Sequence, residues 1–422
     1  MAIEIRFLCN FSTNAHHVLG MPLLKGLNHA FMFADICLKA KSVIISNCRR
    51  DSKLPKASVL DNLDEIRKLD KGNMLSFCVD TAKHYEKAAR IAERVAFNQV
   101  KPQTIIVAGM GGSAIGGELL KDWVRDTLQI PLEVCREYTL PTFANKKTLT
   151  FIVSYSGETE ETLSVFLDAV KRKCMVACIS SGGKLLEFAR KMQMPTLQIP
   201  AGISPRAALP YLFTSMLISL EKLGLIPNVK AEISEATTIL KQVGSENAPE
   251  KPLKENFAKE LAFKLNGTVP VVYGFGFYCS VAQRIKQQFN ENSKIPSKWD
   301  AFPELNHNEV VGWERAEKLA KHFSLVIIRD KSETEEIKCR VEATKELLDD
   351  KVAGIYEVWS RGGGKLARML SATLIGDFTS VYLALLRGVD PTPVETISLL
   401  KERMAKSGIK DRILRELRSL AK

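Results

Sequence analysis

The chain predicts an α/β protein built as two tandem domains, each a doubly wound parallel sheet, and three observations carry that expectation. Apolar strand-like runs alternate with helical patterns after Pro102, the alternation lapses between Ile226 and Pro252, and it then resumes. The second series repeats the first in order, with VAGMGGS answered by VYGFGFY and SYSGETEET by IRDKSETEE, as a duplication would leave them.

Taken in order, residues 1–57 mix apolar and basic character without the charge, apolar block and small-residue order of a signal peptide. They read as an N-terminal extension, either disordered or from an upstream start. SVLDNLDEIRKLDKGNMLSF and YEKAARIAERV are helical patterns that lead into the first domain, residues 58–228. There TIIVAGM precedes GGSAIGGELLKDWVRD, LTFIVSY precedes GETEETLSVFLDAVKRK, CMVACISS precedes GGKLLEFARKM, and TLQIP precedes a long helix after Pro205. A polar, helical connector fills 229–252. In the second domain, 253–405, PVVYGFG precedes SVAQRIKQQF, SLVIIRD precedes SETEEIKCRVEATKELL, and VAGIYEVWS precedes GGGKLARMLSATLIGDFTSVYLALL. Residues 406–422 form a C-terminal helix.

The 422 residues, 45% of them hydrophobic, suffice for two ordinary cores. The net charge of +12 is concentrated, since residues 1–57 carry eight Lys or Arg against three acids. No basic helix interleaved with aromatics follows, so a solvated basic surface is expected rather than a nucleic-acid site, and a modest positive field suits an anionic metabolite. No run of 18 apolar residues is found, so no membrane span is expected and the protein is read as cytoplasmic. Nine scattered cysteines favour reduced thiols over a disulfide framework, and Cys174 and Cys178, in a strand without a nearby His, do not suggest a metal site.

GMGGSAIGG lies between a strand and a helix, where Gly111, Gly112 and Ser113 would let backbone approach an anion at a helix start. Ala114 stands where a dinucleotide fingerprint needs its third glycine, and no acidic residue follows at the usual distance. At the next strand end, Ser154, Ser156 and Thr159 can cap a helix and coordinate an oxyanion. A tight turn explains the first loop alone, and a helix cap the second. Two successive strand ends rich in glycine and hydroxyls favour a phosphate cradle. GFGFYCS, in the second domain, lacks that cluster, so one phosphate site per chain is expected.

GMGGSAIGG, SYSGETEET, PRAALPYL and PELNHNEVVGWE, within the tandem organisation, resemble the sugar isomerase (SIS) domain family. Over residues 58–405 the chain is similar to the archaeal-type bifunctional phosphoglucose/phosphomannose isomerases. The resemblance implies flavodoxin-like SIS domains and reversible interconversion of glucose 6-phosphate, mannose 6-phosphate and fructose 6-phosphate through ring opening and an enediolate. It implies no cofactor or metal, a place in carbohydrate metabolism, and a homodimer with a shared active site. Glu291 stands sixteen residues before His307 of ELNH, the spacing of a related glucosamine-type pattern. On that resemblance Glu291 is the proton-shuttling base, with Glu304 its nearest rival, and His307 is the ring-opening acid and base. Arg206 is implied as the enediolate-stabilising cation, and Lys401 as a C-terminal lysine that reaches the site. A non-catalytic SIS sugar-phosphate sensor is the alternative.

Overall fold

The computed structural model describes residues 59–95 and 101–421, so the extension 1–57 lies outside the described residues. The first helical pattern is divided into α1 (Leu63–Leu69) and α2 (Met74–Val79), followed by α3 (Thr81–Glu93). Asp70 makes the break: its carboxylate accepts from the backbone N–H groups of Met74 and Leu75 at 2.8 and 2.9 Å. A side chain that competes for backbone donors in this way favours a turn over helix continuation.

The first sheet is assembled from β1 (Thr104–Ala108), α4 (Gly112–Val124), β2 (Leu132–Cys135), β3 (Thr148–Val153), α5 (Glu160–Lys171), β4 (Met175–Ser180), α6 (Gly183–Lys191) and β5 (Thr196–Gln198). All its strands are parallel, in the order β2-β1-β3-β4-β5. β1 alternates faces as a doubly covered strand must. Ile105 and Val107 join the cluster containing Ile115 and Phe213, whereas Ile106 and Ala108 join Leu163, Phe166 and Phe188. A 3-10 turn, Pro205–Ala208, then opens α7 (Leu209–Lys222), and α8 (Lys230–Glu246) and α9 (Phe257–Leu265) follow.

The second sheet contains β6 (Val269–Phe275), α10 (Cys279–Glu291), β7 (Lys298–Phe302), α11 (Glu317–Ala320), β8 (Phe323–Arg329), α12 (Glu335–Leu348) and β9 (Gly354–Trp359). Its parallel order, β7-β6-β8-β9, repeats that of the first four strands of the first sheet. Next comes α13 (Lys365–Leu386), which is long and apolar enough by length and composition to cross a membrane. The sequence reading counts no such stretch. Within the fold, 94% of its apolar window is buried, and it serves as a core helix.

Two helices end the chain, α14 (Glu395–Ala405) and α15 (Ile409–Leu420). α15 returns to the first half: Ile413, Leu414 and Leu417 join the cluster of Leu163, Phe166 and Leu167, and Lys171 pairs with Glu416 at 2.5 Å. α14 contains no buried residue.

Candidate active site

In sheets of this order, the crevice outside the carboxyl ends of the strands at the reversal point is the natural ligand site. That point in the first sheet lies between β1 and β3, and both candidate phosphate loops flank it. Ser113 Oγ accepts from the backbone N–H of Tyr155 at 3.3 Å, joining the glycine loop to the hydroxyl loop. Ser154 and Thr159 share a hydroxyl–hydroxyl bond of 3.0 Å, and Ser154 Oγ also accepts from Gly157 N–H at 3.1 Å. Thr159 stands at the N-cap of α5 without making a side-chain cap bond, and Gly111 at the N-cap of α4 cannot make one. Two helix starts in the crevice thus lack side-chain caps, leaving backbone donors and positive dipole ends for an anion. Ser156 is exposed, and its Oγ accepts from Glu158 N–H at 3.2 Å.

Two glycines set this geometry. Gly157 has φ +69°, and a Cβ there would stand 1.9 Å from the Gly182 carbonyl, so the hydroxyl loop packs backbone to backbone on its neighbour. At Gly112 a Cβ would meet the Pro205 carbonyl at 2.9 Å, so the glycine loop lies directly against the turn bearing Arg206.

Arg206 is buried, and its fork is largely committed to the protein. Nε donates to Asn292 Oδ1 at 2.5 Å, Nη2 to the carbonyls of Pro391 and Thr392 at 2.6 and 2.8 Å, and Nη1 to Ser204 Oγ at 3.0 Å. Of five N–H donors, one on Nη1 remains. Nη1 lies 3.8 Å from Glu291 Oε2, at the end of α10. Beyond these partners, Arg206 retains its charge and a single N–H. Burial lowers its pKa, and the charge of Glu291 pulls it back up.

Beneath these residues, Arg284 forms a two-point pair with Asp377, at 3.1 and 3.2 Å, and donates to the Arg206 carbonyl at 2.8 Å. A cavity of about 30 Å³ lies beside them, lined in part by Ala207, Arg284, Gln288 and Asp377. It has room for water but not for a hexose phosphate. Arg284, Gln288 and Asn292 recur every fourth residue and are all buried. A polar stripe on the buried face of α10 is the signal that the sequence reading passes over.

The structure brings Gly111, Gly112, Ser113, Ser154, Ser156 and Thr159 together around the reversal point, and Arg206 together with Glu291. It does not bring His307 to them. His307 is exposed in a 3-10 turn, Glu304–His307, beyond the carboxyl end of β7, whereas α10 delivers Glu291 near the amino end of that strand. Five residues of strand, roughly 16 Å, separate the two ends. Glu304 shares the His307 turn and accepts from Asn308 Nδ2 at 2.7 Å. Lys401 is exposed on α14. Among the described residues, no group of three His, Cys, Asp or Glu side chains could hold a metal ion, and the six described cysteines are free.

Comparison with known proteins places the architecture among the SIS phosphosugar isomerases. The family described as "Bacterial phospho-glucose isomerase C-terminal SIS domain" matches residues 254–404. A crystal structure of a hypothetical protein from Thermus thermophilus superposes with a TM-score of 0.61 at 16% identity, covering 90% of this chain and 97% of that one, a likeness of fold. Two relatives are each named bifunctional phosphoglucose/phosphomannose isomerase. The protein from Caldicellulosiruptor bescii is 42% identical across 77% of this chain and 96% of its own length. That from Aquifex aeolicus is 37% identical across 74% and 94%. The chain belongs to the bifunctional phosphoglucose/phosphomannose isomerase family.

Proposed function

We propose that the protein is an aldose–ketose isomerase that interconverts glucose 6-phosphate and mannose 6-phosphate with fructose 6-phosphate. The observation that carries the reading is the Glu291 carboxylate 3.8 Å from the buried Arg206 cation, on a turn that abuts the glycine loop through Gly112. The substrate phosphate sits on the uncapped starts of α4 and α5, bound by Gly111, Gly112, Ser113, Ser154, Ser156 and Thr159. After ring opening, Glu291 takes the proton from C2 of the aldose and returns it to C1, giving the ketose. Arg206 offsets the negative charge that develops on the enediolate oxygens.

His307 protonates the ring oxygen and removes the hydroxyl proton. The strand length between it and Glu291 supports a homodimer in which His307 of one protomer completes the crevice of the other. Lys401 follows the Arg206-bound carbonyls of Pro391 and Thr392 by one helix and reaches the substrate from α14. The residues 58–228 supply the phosphate grip, and 253–405 the proton chemistry.

Purified protein given fructose 6-phosphate, with glucose and mannose 6-phosphates detected separately, is expected to form both aldoses. In deuterated water, label is expected at C2 of each product. Binding without turnover would overturn the reading in favour of a sugar-phosphate sensor, and unlabelled product would replace the enediolate by direct hydride transfer.

A further inference from the structure

Immediately beyond Glu291, the chain makes a left-handed turn at Lys294, φ +54°, which folds this side chain back over the end of α10. Its half-buried ammonium donates to the Glu291 carbonyl at 2.6 Å and to the Pro391 carbonyl at 2.7 Å, with a longer contact to the Asn292 carbonyl at 3.4 Å. The Pro391 carbonyl is also the acceptor of Arg206 Nη2, at 2.6 Å. One oxygen thus holds two cations, and one lysine joins the end of the helix bearing the base to the loop that seats the arginine.

Such an arrangement is costly in isolation, because two like charges share a buried acceptor. A lysine fixed only for stability gains more from a carboxylate than from neutral carbonyls, one of which an arginine already engages. The charged groups that face it come from every surrounding element: Arg206 from the turn before α7, Glu291 from α10, Asp390 from the loop after α13, and Glu395 from α14. Burial and then Arg206 push its pKa down to about 8, with Asp390, Glu291 and Glu395 opposing.

We propose that Lys294 is a positioning residue for isomerisation, which clamps the 390–392 loop, and with it Arg206, against the helix end that presents Glu291. The inference rests on the isomerase reading above. Lys294 touches no substrate; it fixes the separation between base and cation. Lys294 itself makes no bond to the phosphate cradle, whose two loops are joined by the Tyr155 N–H to Ser113 Oγ bond.

Kinetics with fructose 6-phosphate test it. Lys294→Met is expected to lower kcat roughly ten- to hundredfold with KM little changed, the pattern of a misplaced reacting group beside an intact anchor. Lys294→Arg, which retains charge and donors, should recover a large part of kcat. Wild-type kcat should decline as pH rises through about 8, where Lys294 loses its proton and its bonds lose their charge assistance. In Lys294→Arg that limb should move to higher pH, because a guanidinium does not titrate there. The arginine variant also provides the test if the methionine variant does not fold.

Absence of wild-type turnover overturns both readings. Wild-type turnover together with Lys294→Met kcat within about twofold of it, a loss seen in KM alone, or an alkaline limb unmoved in Lys294→Arg overturns the clamp and leaves the isomerase standing.

Discussion

The two sheets end in loops of the same plan and opposite condition. Gly111 after β1 and Gly276 after β6 have φ of +50° and +51°, and neither would meet an atom within 4 Å of an added Cβ. Ser113 in the first loop corresponds to Tyr278 in the second, and Ser154 to Asp330. The first pair leaves two helix starts without side-chain caps. In the second, Tyr278 donates to Asp330 and accepts from the Ser360 hydroxyl at 2.7 Å, Ser332 donates from both N–H and hydroxyl to Asp330 at 2.7 Å, and Arg368 pairs with the same carboxylate at 3.0 Å. Thr334 caps α12 through Ile337 N–H at 3.5 Å. The Asp330 carboxylate gathers these donors, so the second loop pair is closed by its own side chains. One scaffold geometry is left open where small hydroxyls line it and is closed where larger groups fill it.

The sharpest way to separate the two halves is Glu291→Gln, on the helix that follows the closed loop. Loss of the base should lower kcat by roughly 100- to 10,000-fold while KM for fructose 6-phosphate holds. A change in KM alone would break the division between grip and chemistry. Asp330→Asn should have its effect on the fold instead, lowering stability in a denaturant titration by about 2–3 kcal/mol with KM unchanged. Burial alone would raise the Asp330 carboxyl, but bonds from Tyr278 and Ser332 and the charge of Arg368 outweigh it, and the pKa lies below the ordinary aspartate value. Its contribution is therefore complete above that ordinary value and fades as pH falls through the folded one. Acid titration of the wild type against Asp330→Asn should show their stabilities converging at low pH.

Smaller effects sharpen the open side. Ser154→Ala removes a hydroxyl that pairs with Thr159 and holds Gly157, and should raise KM roughly tenfold with a lesser change in kcat. Ser156→Ala affects an exposed hydroxyl, and KM should rise only about threefold. If the two serine variants reversed rank, the phosphate would sit nearer the loop tip than the bonded pair suggests.

The strands legible in the sequence were β1, β3, β4, β6 and β8, which are buried on both faces, and the edge strands β5 and β9, as runs with partial apolar character. β2 and β7, each at one edge of its sheet, escaped notice because exposed residues interrupt their apolar pattern. Glu133 is exposed in LEVC, and Lys298 and Trp299 are exposed in KWDAF, so neither offers a continuous apolar run. The split between α1 and α2 escaped for a different reason, since Asp70 acts through hydrogen bonds that periodicity does not register. At the site, the hydroxyl and glycine loops were legible because their residues are local. The seat of Arg206 was not, because Asn292, Pro391 and Thr392 lie from 86 to 186 positions away along the chain.

The return of α15 to the first sheet makes the repeat indivisible. Its Leu417 is fully buried among residues of the first half, and Lys410 reaches Glu158, next to the hydroxyl loop, at 2.6 Å. A chain severed anywhere between the two sheets would leave the first without part of its apolar cover, and the second carrying an orphaned amphipathic helix. The two halves are mutually obligate: the tail stitches them into a single unit.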